Sequence, residues 1–152
     1  LSSIEQFLHS HNPEAQIIFT ISPVRHIKDG IVENQRSKSH LFAALHQLLD
    51  LQKSKTEYFP SYEIMMDELR DYRFYADDML HPSTLAIEYI WESFLERYCN
   101  QEALSIMKEV GRIQQGLAHR SFSADSEAHQ KFLDGLEKKI EVLKGKWPGM
   151  RF

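Results

Sequence analysis

Four successive stretches limit what this chain can fold into more than any other feature. Residues 15–23, AQIIFTISP, form a short, nearly continuous apolar run with β-branched residues, ended by a proline. Such a run reads as a buried strand of the kind found in parallel sheets. VRHIKDGIVENQRSK (24–38) is polar and reads as a loop. SKSHLFAALHQLLDLQ (37–52) then places Leu41, Ala44, Leu45, Leu48 and Leu51 on one face, which predicts an amphipathic helix. TEYFPSYEIMM (56–66) is aromatic-rich and reads as a second strand, made irregular in its middle by Pro60. Strand, helix, strand implies a parallel pair with a right-handed crossover. Two strands do not make a stable sheet alone. The sheet is therefore expected to be completed by a missing N-terminal portion of the domain or by a homo-oligomeric partner.

Helical periodicity dominates the rest. Ser3 is positioned to cap a short helix with Ile4, Phe7 and Leu8 on its apolar face, and HNPE (11–14) breaks it. PSTLAIEYIWESFLERY (82–98) places Pro82 where a first-turn proline is tolerated. It repeats Ile87, Ile90, Trp91, Phe94, Leu95 and Tyr98 at helical spacing. Beyond Cys99, Ala103, Ile106, Val110, Ile113 and Leu117 step by three and four, as do Leu133, Leu136, Ile140, Leu143 and Trp147. AHRSFSADSE (118–127) separates them, with Ser123 and Asp125 as cap candidates. These seams predict an antiparallel helical hairpin. The expected organisation is an α/β unit over 1–98 and a helical hairpin extension over 99–152.

Composition removes several function classes. The net charge is −4, and residues 1–100 carry 15 acids against 9 bases. No phosphate-backbone partner is expected, so no nucleic acid. No run of about 18 apolar residues exists, so no membrane span is expected. LSSIEQFLHSHNP has neither the basic nor the apolar region of a signal peptide, and it lacks an initiator Met. The chain is read as starting within a longer protein. A single cysteine, Cys99, forms no internal disulfide and fits a reducing, cytoplasmic setting. The eight histidines give no metal pattern. His9 and His11 sit at a helix end, His40 and His46 are six apart, and no H-E-x-x-H occurs. Glycine is absent from Ile31 through Val110, and no dinucleotide, Walker or G-x-S-x-G signature is present. No metal and no cofactor is expected.

Three constellations carry possible chemistry. Asp78-x-x-His81 pairs a carboxylate with an imidazole at a spacing that suits a general base oriented by an acid. The same residues also read as a solvated turn acid and a helix-start histidine, and Asp77 is a rival partner. Ser22-Pro23-Val24-Arg25-His26 follows the first predicted strand, where ligands bind in open α/β sheets. Arg25 suits a carboxylate, phosphate or sugar oxygen. It reads equally as half of a structural ion pair, and His26 as a loop hydrogen-bonder. Asn34, Arg36 and Lys38 lie just before a predicted helix N-terminus, which favours anions but also fits a capping loop. Tyr72, Phe74 and Tyr75 read as core.

Read together, FTISPVRHIKDG, ENQRSKSHL and YFPSYEIMMDELRDYRFYADDMLHPS resemble the C-terminal portion of the GSCFA family, a branch of the SGNH (GDSL-like) hydrolase superfamily. The resemblance covers roughly residues 1–98, and the third segment is its most specific part. The helical hairpin adds little to it. The resemblance implies a partial flavodoxin-like three-layer α/β/α fold with few parallel strands. It maps the family's Asp and His onto Asp78 and His81 and favours Asp78 over Asp77. Ser22, Arg25 and His26 fall on the implied substrate side. Asn34 and Lys38 match without a catalytic role. The G-S-C-F-A motif, where the nucleophile is expected, does not occur in this sequence, nor do the earlier blocks that supply an oxyanion hole. The expected function is a hydrolase, an esterase or deacylase acting on an acylated small molecule or glycan. Its nucleophile, Ser or Cys, would lie outside these residues. Ser22, which precedes a proline and has no glycine elbow, is a poor substitute. The alternative is a non-catalytic helical interaction module.

Overall fold

A computed structural model of the chain describes residues 2–51, 56–119 and 126–152. It divides into two compact units, Leu1–Arg97 and Tyr98–Phe152. Among the described residues the chain is mostly helical with one small sheet. In order come α1 (Ser2–His11), β1 (Ile17–Thr20), α2 (Ile31–Leu51), β2 (Thr56–Phe59) and α3 (Ser61–Glu63). A π turn (Ile64–Glu68) and a 3₁₀ turn (Tyr72–Phe74) follow, then α4 (Thr84–Tyr98), α5 (Gln101–Ala118) and α6 (Glu127–Lys146).

The two strands pair in parallel, Ile17 opposite Thr56 and Thr20 opposite Phe59. Side chains alternate between the faces of a strand. On one face, Thr56 donates to the buried Glu5 carboxylate of α1, and the Tyr58 ring meets His46 of α2 at 5.6 Å. On the other, Phe59 meets Phe94 of α4 edge-on at 5.2 Å, and Glu57 lies 3.7 Å from Arg97. Ile21, Leu45, Leu48, Phe59 and Met65 are buried core residues of this unit.

Several elements differ from the sequence-based expectation. β2 stops at Phe59 instead of running to Met66. Pro60 has no N–H for the ladder, and its carbonyl instead accepts from Ile64 N at 3.0 Å, opening a helical segment. The Leu69 N–H reaches back to Ile64 O at 2.9 Å, which makes the second turn a π turn. α2 starts at Ile31, well before the predicted start. Gly30, at φ 94°, makes the tight entry and accepts from Asn34 N at 3.0 Å. Asn34, Arg36 and Lys38 therefore lie inside the helix. Its buried stripe runs Asn34, Lys38, Leu45, Leu48, while Leu41 and Leu51 are exposed. α1 buries Glu5 and leaves Ile4, Phe7 and Leu8 exposed.

In the second unit, Asn100 caps α5 by accepting from Ala103 N at 2.8 Å, and Ser126 caps α6 by accepting from His129 N at 3.3 Å. Ser123 and Asp125 lie outside the described residues. α5 and α6 touch. A Cβ on Gly116 would sit 2.9 Å from both Leu136 methyls, so the helices approach closely there. Ile113, Leu136 and Leu143 are buried, while Leu117, Leu133 and Trp147 are exposed, because two helices alone cover only a narrow stripe. Among the described residues no helix is long and apolar enough to cross a membrane.

Candidate active site

Asp78 and His81 sit in a turn closed by main-chain bonds. Tyr75 and Pro82 form an antiparallel bridge. Ala76 N donates to His81 O at 2.8 Å, Ser83 N to Phe74 O at 2.7 Å, and Met79 N to Ala76 O at 2.9 Å. Inside this loop Asp78 Oδ1 accepts from Leu80 N and His81 N, both at 2.9 Å, the local bonding that suits Asp to turns. Its Oδ2 lies 2.6 Å from His81 Nδ1. The His81 amide, then the Leu80 amide, then the imidazole pull the carboxyl down to about 2. It is therefore an anion at neutral pH and acts only as an acceptor. The proton shared with the ring must sit on Nδ1, which leaves the lone pair of a neutral imidazole on Nε2. Nε2 makes no hydrogen bond among the described residues, and the His81 side chain is 61% exposed. Asp77 makes no polar contact among the described residues. Met79 adopts φ 60°, a left-handed conformation that costs a non-glycine residue about 1–2 kcal/mol and that the closed turn imposes.

The Ser22–His26 loop leaves the end of β1 and is pinned from α2. Asn34 and Lys38 are one turn apart on the same face. Asn34 Oδ1 accepts from His26 N at 2.8 Å, and Lys38 Nζ donates to Ser22 O. Both side chains are buried, and burial lowers the Lys38 pKa. Their polar ends thus hold loop backbone. Ser22 Oγ accepts from Val24 N at 3.2 Å, and His26 Nδ1 lies 3.7 Å from Asp29 Oδ2. Beneath the loop, Thr20 Oγ1 donates to Phe59 O at 2.9 Å, Ser61 Oγ donates to Ile21 O at 3.0 Å, and the two hydroxyls are 2.6 Å apart. These hydroxyls tie the two strand ends together. In the sequence only Ser61, directly after the β2-ending proline, and Thr20, at the end of the β1 run, hinted at them.

The loop and the turn border the same hollows. A cleft of about 480 Å³ is lined by Arg25 from the loop and Met79 from the turn, with Arg70, Asp71, Tyr72 and Tyr75. A second, apolar groove of about 450 Å³ has Pro23, Val24 and Pro82 on its wall, facing Phe59, Trp91 and Phe94. Arg25 and Asn34 also edge a shallow hollow over the start of α2, beside Arg36. Asp78 and His81 themselves line none of these three, and neither do Ser22, His26 and Lys38; the Asp78–His81 turn reaches the hollows through Met79 and Pro82. Tyr72 is 78% exposed, so it is a surface residue and not core. Arg70 escaped the sequence reading, and Tyr72 was placed in the core, because DELRDYRFY has no regular period that would assign them a face. Among the described residues, no three His, Cys, Asp or Glu side chains converge as metal ligands.

Comparison with curated proteins and with solved structures returns no match. Comparison with protein families does. Residues 110–152, the region that added little to the resemblance, match the GSCFA domain protein, C-terminal domain, and residues 1–94 match the GSCFA family. The matched stretch at 1–94 holds both the strand-end loop and the Asp78–His81 turn, and on that match the chain belongs to the GSCFA family.

Proposed function

We propose that this chain contributes the base and its orienting acid to an SGNH-type acyl hydrolase. The observation that carries the reading is the Asp78 Oδ2–His81 Nδ1 contact of 2.6 Å, with no hydrogen bond at Nε2 among the described residues and the side chain exposed. A general base needs its tautomer fixed on one side and a lone pair presented on the other. Here His81 takes the proton of a Ser or Cys nucleophile contributed from outside these 152 residues and returns it to the leaving group. Asp78 orients the ring and stabilises the imidazolium. The acyl group passes to that nucleophile and then to water, and the substrate is an acylated small molecule or glycan.

Two further observations favour the architecture such enzymes use. Side chains on one face of the sheet meet α1 and α2, and those on the other meet α4, as in a three-layer α/β/α sandwich. The two-stranded sheet and the apolar groove at its α4 face leave room for further strands and cover. Those strands come from elsewhere in the domain or from a second copy. In the second unit Gly116 meets Leu136 and His119 meets Phe132, while Arg112 and Lys139 share one hollow. Rising numbers on one helix meet falling numbers on the other, as in an antiparallel hairpin. The exposed Phe132, Leu133 and Trp147 favour the alternative reading, a non-catalytic helical interaction module.

The test is release of a chromogenic leaving group from an acetyl ester. The 152-residue chain is expected to show no enzymatic turnover. A longer polypeptide that supplies a nucleophile and oxyanion donors is expected to be active, and His81→Ala in it to remove most of the rate. Removing one oxyanion donor alone costs about 10²–10³ in rate, and loss of the nucleophile more. Robust hydrolysis by residues 1–152 that survives His81→Ala would overturn the reading.

A further inference from the structure

We infer that the cleft beside the Asp78–His81 turn is an oxyanion-binding site, with Arg25 and Arg70 as its two arms. It takes a carboxylate or phosphate group carried by the ligand. It rests on the proposed function only in assigning that ligand to His81 as substrate.

The pairing of arginines in the first unit singles these two out. Arg36 lies 3.6 Å from Glu33, Arg73 3.2 Å from Asp71 and Arg97 3.7 Å from Glu57. Arg25 and Arg70 make no ion pair or hydrogen bond among the described residues, and both line the same cleft. They arrive from separate places, one from the loop after β1 and one from just beyond the π turn. The fold therefore converges two unneutralised guanidiniums on one hollow. This happens in a region whose sequence is otherwise acidic.

The cleft's own carboxylate does not cancel them. Asp71 Oδ1 accepts from Arg73 N at 2.9 Å, and its Oδ2 from the Arg73 guanidinium at 3.2 Å. Its charge is committed to a neighbour that does not line the cleft. The remaining walls are Met66, Met79, Tyr72 and Tyr75. Thioether and aromatic walls screen charge less than water does, so an anion between them gains more from the arginines. Guanidinium offers a planar fork that matches both carboxylate and phosphate. Met79 lies between Asp78 and His81 in the same turn, so the cleft borders that turn, although neither Asp78 nor His81 lines it. The substrate class that follows is an ester carrying an anionic group.

The experiment titrates the 152-residue chain with inorganic phosphate and, separately, with succinate, at constant ionic strength, following the arginine Nε–H and Tyr72 amide NMR signals. Saturable shifts at Arg25, Arg70 and Tyr72 are expected. Phosphate binding tighter than succinate assigns a phosphate-bearing ligand, and the reverse a carboxylate-bearing one. Arg70→Gln and Arg25→Gln/Arg70→Gln should each weaken binding at least about tenfold. Arg36→Gln, at an arginine paired with Glu33, should leave it unchanged. Shifts that grow linearly with anion, or that persist in the double variant, would overturn the site. Hydrolase activity is a separate measurement, made in the longer polypeptide. There, equal kcat/KM for p-nitrophenyl acetate and for the p-nitrophenyl monoester of succinate would sink the substrate class and leave the hydrolase reading standing. Phosphate binding in a protein that hydrolyses nothing would do the reverse.

Discussion

Asn34→Ala isolates the link between α2 and the strand-end loop. Asn34 is 8% exposed, and its Oδ1 is the acceptor for the His26 N–H at 2.8 Å. Removing it leaves that N–H without a partner, a loss of about 1–3 kcal/mol when the group stays buried. His26 is exposed, so water recovers part of this and the lower half of the range applies. Alanine also suits the helix better than asparagine, by up to about 0.7 kcal/mol. Global stability should therefore change little, while the loop opens more readily. A local shift of about 1–2 kcal/mol speeds exchange of the His26 amide by about 5–30-fold. Hydrogen exchange by NMR at neutral pH reads this directly, with the β1 amides as an internal reference. Lys38→Met should act on the same loop, since Ser22 O loses its donor. Relief of the buried ammonium offsets part of that loss. The two effects should combine less than additively because both act through one loop. An unchanged His26 rate in Asn34→Ala, with β1 unaltered, would show that the loop is not held from α2.

Four other expectations follow from the geometry. A carboxyl NMR titration of Asp78 should have its midpoint near 2, below the usual value of about 3.9. A depressed carboxyl stabilises the fold fully above about pH 4 and loses that contribution as pH falls through the folded value, so Asp78→Asn should flatten this part of the acid limb. Burial, then the 2.7 Å hydrogen bond to Glu63, raise the Tyr58 pKa, so its contribution is complete below about pH 10 and lost above it; Tyr58→Phe should blunt alkaline unfolding. Gly111→Ala should stabilise the second unit by up to about 1 kcal/mol, since nothing lies within 4 Å of the new Cβ. Gly116→Ala should gain less or lose, because Leu136 must move; equal melting shifts would refute the close approach. Ile113→Asp should cost several kcal/mol by burying a charge, read as a lowered Tm.

What could be read from the sequence is what depends on near neighbours. The β1 strand, the α2 and α4 helices and the Asp78–His81 pair are all set by residues a few positions apart, although β1, expected to be buried, leaves Ile18 exposed. Asp78 needs only the Leu80 and His81 amides and the imidazole, all within three residues. Element boundaries were less legible for the same reason. β2 ends at Phe59 because Pro60 stops the ladder, yet the aromatic run continues to Tyr62 and hides the change. α2 begins at Ile31 because Gly30 turns the chain, although the segment that follows is polar enough to pass for a loop. The helical period in fact runs back from Leu45 through Lys38 to Asn34. A buried stripe that starts with an amide and an ammonium looks like a solvated face until the loop they bond is in view.

The site's remaining parts depend on contacts across the fold, which no local pattern encodes. Arg25 follows β1 and Arg70 follows β2, and because those strands pair in parallel the two arginines can line one cleft. In the sequence they are two charged loop residues among many, and only the pairing of the other arginines shows them as unneutralised. The apolar residues show the opposite limit. Ile87 and Trp91 have the spacing of a buried face, yet they are 56% and 49% exposed along a groove with Phe59 and Phe94. Periodicity reports that a face is apolar, and packing decides what covers it. At α4 the sheet covers only part of that face. The same reasoning applies to Ile4, Phe7 and Leu8 of α1, which are exposed while Glu5 is buried and held by Thr56 of β2. Hydrophobic pattern and burial diverge at the two helices flanking a two-stranded sheet, which is where a wider sheet would bring them back together.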